Sequence, residues 1–209
     1  MIEYAFSPKH YFILALLTLA IVVASIQPLE LGSYGLHQIG TALMLAFLLY
    51  CLKKVGLSFW SFALYIGFLL IHVLGAHYLY SFVPYNEWFI QYFNFDLNQS
   101  MGWTRNMYDR LVHFAYGLLL YPLFLRLFQV WLPQLSATVL FILVVQFVMA
   151  SSLIYEWIEW LIAIGLSHED AENYNGQQGD MWDAHKDMWL ATLGAIISGL
   201  VMLKAKVKN

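Results

Sequence analysis

The sequence predicts an all-α, polytopic membrane helical bundle, and three observations support this fold class. Of the 209 residues, 61% are hydrophobic and only 11% are charged, with a mean hydropathy of +0.65. Soluble domains carry roughly 25% charged residues, so water is not the main solvent of this chain. Apolar runs recur along the sequence between prolines and glycines. Because a spanning helix needs about 20 apolar residues, these runs leave no room for a separate soluble domain.

We predict about six transmembrane helices in a single integral membrane domain, residues 1–209. Their approximate bounds are 11–27, 36–52, 58–80, 108–131, 135–165 and 183–204. In the third connection, Trp88, Phe89, Tyr92 and Phe93 recur at a helical interval, which predicts a short helix lying in the headgroup region. An ordinary belt of interfacial aromatic residues would give the same pattern.

The distribution of basic residues predicts the orientation. With the N-terminus inside, seven of the ten Lys and Arg residues are cytoplasmic and three are outside. Cytoplasmic loops carry the excess of Lys and Arg, so both termini are predicted to be cytoplasmic. The acidic residues gather on the extracytoplasmic side, with Glu3 as the exception. A formal net charge of -3 gives no indication of nucleic-acid binding.

Three predicted helices each carry a pair of polar side chains whose insertion into a membrane costs free energy. Their members are three or four residues apart and so share a helix face: Asp109 and His113, Glu156 and Glu159, and Asp183 and Asp187. Because neighbouring helices alternate in direction, these pairs meet at one extracytoplasmic level. His72 and His77 reach that level from the third helix, but about 140° separates them, so at most one faces the pairs. His37, His168 and His185 are weaker candidates.

The charge balance of this cluster predicts a cation. Five carboxylates face Arg110 and Lys186, so the cluster must hold protons or bind metal. Histidine among carboxylates is typical of zinc, manganese or iron, whereas an all-oxygen set would suit magnesium or calcium. The single cysteine, Cys51, excludes a thiolate cluster, and no motif indicates an organic cofactor. The predicted metal ligands are Asp109, His113, Glu156, Glu159, Asp183 and Asp187 together with His72 or His77.

Structural roles explain some of these residues equally well. Asp109 and Asp183 stand where a carboxylate stabilises the beginning of a helix. Glu156 and Glu159 lie near a helix C-terminus, where carboxylates oppose the dipole, so they are the stronger candidates for function. Glu156, Glu159 and Asp183 are the candidate catalytic residues.

Four segments resemble the bacterial inner-membrane family typified by YjdF. They are His72 to Tyr85, Tyr108 to Leu120, Tyr155 to Trp160 and Gly176 to Met188. The resemblance implies a multi-pass protein of the inner membrane and supplies no activity. It also implies Gln at the position of His185, which weakens a role for that histidine. More distantly, the order of Asp109, His113, a glutamate and Asp183 is similar to VanZ-type membrane proteins linked to glycopeptide-antibiotic tolerance.

The residues leave three functions open, and they do not decide whether the protein is an enzyme. One is a metal-dependent enzyme acting on a lipid or lipid-linked envelope substrate, with a carboxylate as general base. Another is a proton- or cation-coupled transporter, for which a site at the bilayer midplane would be typical. The last is a non-catalytic component whose polar cluster holds helices together. Membrane lipid is the one partner common to all three, and the oligomeric state is not indicated.

Overall fold

The structure, a computed structural model, describes residues 1–165 and 177–207. Within these ranges most residues are helical, and two strands of two residues each, β1 (Ile2–Glu3) and β2 (Leu57–Ser58), form an antiparallel pair. The helices are α1 (Pro8–Ala24), α2 (Leu31–Lys54), α3 (Phe59–His77), α4 (Tyr85–Phe93), α5 (Leu97–Met101), α6 (Tyr108–Trp131), α7 (Ala137–Gly165) and α8 (Asp183–Val207). The predicted all-α polytopic bundle is confirmed.

Five of the described helices, α2, α3, α6, α7 and α8, are long and apolar enough to cross a membrane. α1 is also apolar, but it has only 17 residues and is therefore not counted among these five helices. α2 begins at Leu31, five residues before the predicted start, because the Glu30 carboxylate accepts hydrogen bonds from the backbone amides of Gly32 and Ser33. The helix predicted in the third connection is present as α4 and is followed by α5.

α3 and α6 form the centre of the bundle. α3 packs against α1, α2 and α6, whereas α6 packs against α3, α7 and α8. The largest side chains of the core come from these two helices and include Phe62, Tyr65, Leu120 and Tyr121, all at 2% exposure or less. Large apolar side chains on the outer faces of the other helices stay exposed, as expected where lipid is the solvent.

The turn between α2 and α3 is fixed from two sides. β1 pairs with β2 just after this turn, and Arg126 of α6 donates to the carbonyls of Val55 and Gly56 at 3.1 and 3.0 Å. Gly56 has a φ of +70°, a conformation that favours glycine. Cys51, in the last turns of α2, is fully buried beneath this turn.

The end of α3 contains an unusual turn. Leu79 and Tyr80 both have positive φ, at 51° and 54°, and the Tyr80 amide donates to the Gly75 carbonyl at 2.8 Å. The Tyr80 ring lies so close to Gly75 that a Cβ there would be 2.7 Å from the ring. The turn therefore folds Tyr80 back over the last turns of α3, toward the interior of the bundle.

Candidate functional site

The site is built where α6 and α8 pack backbone against backbone. Gly117 of α6 lies against the carbonyl of Ala191, and Gly194 of α8 lies against a carbonyl of α6, so a side chain at either glycine would overlap an oxygen. Small residues commonly allow such close approach in membrane bundles. Asp109 and His113 precede Gly117 at four-residue intervals on the same face. The glycine contact thus holds these two side chains against the first turns of α8.

Outside this contact lies a network of ion pairs, which we call the ion-pair layer. Arg110 reaches Asp183 Oδ1 at 2.6 Å and Asp187 Oδ1 at 2.5 Å, and its Nη1 donates to the Asp183 carbonyl at 2.9 Å. Arg105 binds the same Asp183 oxygen at 2.6 Å. Asp183, Asp187 and Arg110 are buried. Each of the two aspartates therefore has an arginine partner, which offsets part of the cost of burying it.

Asp180 extends the ion-pair layer to the surface. Its Oδ2 lies 2.6 Å from Lys186 Nζ and 3.0 Å from Arg110 Nη2. The hydrogen bond from Lys186, followed by the one from the Trp182 amide, lowers the pKa of Asp180 to about 2. The turn that carries it is held by Gln178, whose side chain both accepts from the Asn106 amide and donates to the Asn106 carbonyl.

Behind the ion-pair layer lies a second group, Asp109, His113 and Glu156, which we call the histidine layer. His113 Nε2 is 3.6 Å from Asp109 Oδ1, and His113 Nδ1 is 4.0 Å from Glu156 Oε1. Asp109, His113 and Asp187 each offer one ligand atom, and these three atoms lie within 4.8 Å of one another. All three residues are buried. Asp187 therefore belongs to both layers.

Glu156, unlike Asp183 and Asp187, has no arginine or lysine within ion-pair distance in the described part of the chain. Its side chain is 9% exposed, and Oε1 has no hydrogen-bond partner among residues 1–165 and 177–207. A buried carboxylate oxygen without a partner is costly, and in native proteins it calls for an explanation. The Oε1 atom of Glu156 lies 4.0 Å from His113 Nδ1.

Two residues of the histidine layer, Asp109 and His113, line a cavity of about 240 Å³. The opposite wall carries His72 and Tyr80, and the serines of α7, Ser151 and Ser152, lie between them. The Ser152 hydroxyl is buried and has no hydrogen-bond partner within the described part of the chain. The cavity is otherwise apolar and aromatic, which is the usual composition of a small-molecule site.

His72 and His77 have different surroundings. His72 Nε2 donates to the His37 carbonyl at 3.3 Å, and Nδ1 accepts from the Tyr80 hydroxyl at 2.5 Å. Both ring nitrogens are thus engaged, although the ring lines the cavity. His77 Nδ1 donates to the carbonyl of Ala24 at 2.8 Å, so the structure does not bring it to the cluster.

The remaining candidates fall outside the histidine layer. Glu159 lies partly exposed on a second cavity of about 360 Å³, which Glu156 and Asp183 also line. His185 is exposed and its ring contacts Trp182. His37 is buried, with its ring against those of His72 and Tyr80. The predicted loop candidate His168 lies outside the described residues.

Several residues of the site were not anticipated. Arg105 was assigned only to an outer loop, yet it binds Asp183, and Tyr80, Ser152 and Tyr155 line the cavity. The sequence did indicate that a cation was missing, because the five carboxylates of the cluster faced only Arg110 and Lys186. Arg105 is the additional cation. Nothing in the periodicity of the helices indicates Tyr80, because its position depends on the positive-φ turn.

These observations define a polytopic α-helical membrane protein with a buried histidine and carboxylate cluster at one end of its bundle. The chain belongs to the family described as Predicted membrane protein (DUF2238), whose model matches residues 9–208. It is also 30% identical over 135 residues to Inner membrane protein YjdF of Escherichia coli (strain K12). That alignment covers 65% of this chain and 60% of the relative. No solved structure matches the chain.

The comparisons confirm the predicted resemblance to YjdF-like proteins, and with the apolar helices they support a multi-pass protein of the inner membrane. The chain spans 60% of the length of the curated relative that it matches. Neither name states an activity, so the function has to be argued from the site.

Proposed function

We propose that this protein is a metal-dependent membrane enzyme acting on a lipid or lipid-linked envelope substrate. The observation that carries the proposal is the convergence of Asp109, His113 and Asp187, whose ligand atoms lie within 4.8 Å of one another beside a cavity. One imidazole and two carboxylates form a donor set that suits zinc, manganese or iron.

The surroundings of His113 support a metal ligand. Metal-binding histidines commonly present one ring nitrogen to the ion and the other to a carboxylate that orients the ring. In His113, Nε2 faces Asp109, and Nδ1 faces Glu156 from 4.0 Å. A small approach of the two side chains would form this bond and give Glu156 Oε1 a partner. We therefore assign Asp109, His113 Nε2 and Asp187 to the ion and Glu156 to the orientation of His113.

The other predicted ligands have different roles in this proposal. Asp183 is bound by two arginines at 2.6 Å and serves to hold α8 in place. Arg110 contacts Asp187 through Oδ1, so the second oxygen of Asp187 is the one that we assign to the metal. Both nitrogens of His72 are engaged, and we place it with Tyr80 in the wall that contacts the substrate.

A divalent ion in this position would supply Lewis-acid activation of a substrate oxygen or of water. The chain itself would hold the reacting group between His113 and the wall formed by His72 and Tyr80. The buried Ser152 hydroxyl supplies a hydrogen-bonding group within the same cavity. The aromatic walls would exclude bulk water from the reaction.

The depth of the cluster favours an enzyme over a transporter. Asp109 is the second residue of α6, and Asp183 is the first residue of α8. His113 lies about 7 Å from the beginning of α6 at a rise of about 1.5 Å per residue. A carrier would more commonly bind its substrate near the midplane. From the distribution of Lys and Arg, we also propose that both termini are cytoplasmic and that the cluster faces the extracytoplasmic leaflet.

Elemental analysis of the purified full-length protein tests the proposed metal. We expect about one equivalent of a transition metal in the wild type and its loss from His113→Gln. The matched control is His185→Gln, the same change at an exposed histidine outside the cluster. At a metal concentration about 100 times the dissociation constant, binding would raise the free energy of unfolding by about 2.7 kcal/mol. Chelation should therefore lower the melting temperature of the wild type but not of His113→Gln.

A second measurement tests catalysis. The metal-loaded protein is incubated with vesicles of bacterial inner-membrane lipid extract, and the lipids are compared by mass spectrometry with a chelated sample. The expected result is a lipid product that depends on the metal and is missing with His113→Gln. Wild-type protein without stoichiometric metal, with a melting temperature indifferent to chelator, would instead favour a cluster that only joins helices.

A further inference from the structure

An apolar cavity between α2, α3, α6 and α7 adjoins the cavity that Asp109 and His113 line. It has a volume of about 290 Å³, and Met44 of α2 and Tyr116 of α6 line both cavities. Every other residue that lines this apolar cavity is leucine, phenylalanine or tyrosine. The two cavities thus meet at Met44 and Tyr116, and together we call them the groove.

The order of the lining residues shows how the groove runs. On α6 the lining passes from Asp109 and His113, through Tyr116, to Leu120 and Phe124. α7 and α3 follow the same order, with Tyr155 and Ser152 before Phe147, and with His72 and Phe68 before Tyr65. The groove therefore starts at the polar cluster and runs along the helices toward the middle of the bundle.

The walls of the groove open toward lipid. α3 and α6 pack together as its floor, whereas α2 packs on α3 and α7 packs on α6 and α8, so α2 and α7 form its two sides. Leu43, on the α2 side, is 67% exposed. Since these helices cross the membrane, the surroundings of this mouth are hydrocarbon chains, and the groove continues that lipid interface into the protein.

The dimensions of the groove fit a single chain of a lipid. From His113 to Phe124 the groove follows eleven residue steps of α6, or about 16 Å. Half of a hydrocarbon core about 30 Å thick is about 15 Å, the depth of one leaflet. A helix of a partner protein, with a diameter of about 10 Å, would not enter cavities of this volume.

We propose that the groove binds one hydrocarbon chain of a membrane lipid, entering between α2 and α7, and presents the lipid headgroup to the Asp109, His113 and Asp187 cluster. The inference rests on the proposed function for what happens to the headgroup, and it narrows the substrate to a lipid with an acyl or polyprenyl chain. The polar groups at one end of the groove and apolar side chains along the rest match the two parts of such a molecule.

Photolabelling of the full-length protein tests the binding of the chain. The probe is phosphatidylglycerol with a diazirine near the end of one acyl chain, diluted into vesicles of unlabelled phosphatidylglycerol and phosphatidylethanolamine. Labelled residues are mapped by mass spectrometry. We expect labelling to concentrate around Leu43 and Phe47 on α2 and Phe147 on α7, above the level on the lipid-facing side of α1.

Two variants block the groove, and one is a matched control. Met44→Trp fills the junction of the two cavities, and Leu43→Trp obstructs the exposed mouth without touching the core. The control is Met149→Trp, the same methionine-to-tryptophan change at an exposed position of α7 outside the groove. Both blocking variants should reduce groove labelling to the level on α1, whereas Met149→Trp should leave it unchanged.

The outcomes separate this inference from the proposed function, because metal content is measured on the same samples. Labelling that follows only the exposure of each helix to lipid, or that survives both blocking variants, overturns the groove. If the protein holds metal but shows no groove labelling, the proposed metal centre is supported and the lipid-chain inference is wrong. If the groove is labelled but the protein never holds metal, the chain-binding groove is supported and the proposed metal-dependent enzyme is wrong.

Discussion

The two polar layers at this end of the bundle contain similar acids but differ in how those acids are partnered. In the ion-pair layer, Asp183 meets two arginines at 2.6 Å, and Asp180 meets Lys186 at the same distance. Among Asp109, His113 and Glu156 of the histidine layer, the closest approach between ionisable groups is 3.6 Å, and Glu156 Oε1 has no hydrogen-bond partner within the described ranges. The buried members of the ion-pair layer, Asp183 and Asp187, are about as inaccessible as Asp109 and His113 of the histidine layer.

This difference distinguishes acids that hold the fold from acids that are available to a ligand. A buried ion pair whose members are also hydrogen-bonded fixes the geometry of the helices that carry it, although its net contribution to stability is small. Buried acids left without partners beside a cavity are instead typical of functional sites. We therefore expect substitutions in the first layer to affect folding and substitutions in the second to affect binding.

The largest effect is expected from Arg110→Ala. This change leaves Asp187 buried without its cation and removes one of the two arginines at Asp183, and breaking a buried pair costs about 3 to 5 kcal/mol. The melting temperature in detergent should fall strongly. Lys186→Ala is the control, since it removes an exposed cation of the same layer. If both variants melt together with the wild type, the ion-pair layer does not hold α8 in place.

The next effect concerns the contact that aligns both layers. Gly117→Ala places a methyl group against the Ala191 carbonyl, and we expect a loss of about 1 to 3 kcal/mol from overpacking. Gly67→Ala in α3 is a suitable control, because a Cβ there meets nothing within 4 Å. Melting temperatures of the two variants measure the difference. Equal values would show that α6 and α8 can separate without disturbing the site.

A third experiment addresses the histidine layer through Glu156→Gln. The variant replaces the carboxyl group by an amide of the same shape, and Oε1 has no hydrogen-bond partner to lose among residues 1–165 and 177–207, so stability should change little. Loss of an orienting partner of a metal ligand typically lowers metal affinity by about 10 to 100 times. Titration of zinc or manganese into the metal-free protein measures this ratio. A variant that unfolds like Arg110→Ala would place Glu156 with the structural acids instead.

The smallest effect is the pH dependence of the ion pair between Asp180 and Lys186. Because the folded pKa of Asp180, about 2, lies below its ordinary value of 3.8, the pair stabilises the protein above about pH 4. That stabilisation is lost as the pH falls from about 4 to about 2. The difference in melting temperature between wild type and Asp180→Asn should therefore shrink over this range. A difference that stays constant to the lowest pH would contradict the assignment.

The sequence was sufficient for the parts of the site that lie within helices. The spacing of Asp109 and His113 places both on one face, and the alternation of helix directions brings α6, α7 and α8 to one level. The spacing of Glu156 and Glu159 likewise brings both side chains to one cavity, the one of about 360 Å³.

The parts that could not be predicted depend on loops and on depth of packing. Arg105 reaches Asp183 from a connection without periodicity, and Tyr80 reaches His72 through two residues with positive φ. The division into two layers also depends on which arginine rotamer meets which aspartate. Spacing along one helix contains no information on such pairings between helices.

The burial of Cys51 makes it easier to measure the orientation of the protein in its membrane by cysteine labelling. The thiol is the one cysteine of the sequence and is enclosed beneath the turn between α2 and α3. A bulky maleimide added to whole cells should not reach this thiol, so the unsubstituted protein serves as the unlabelled control. A cysteine introduced at exposed Glu87 or Lys54 would then report its compartment without any other change to the protein.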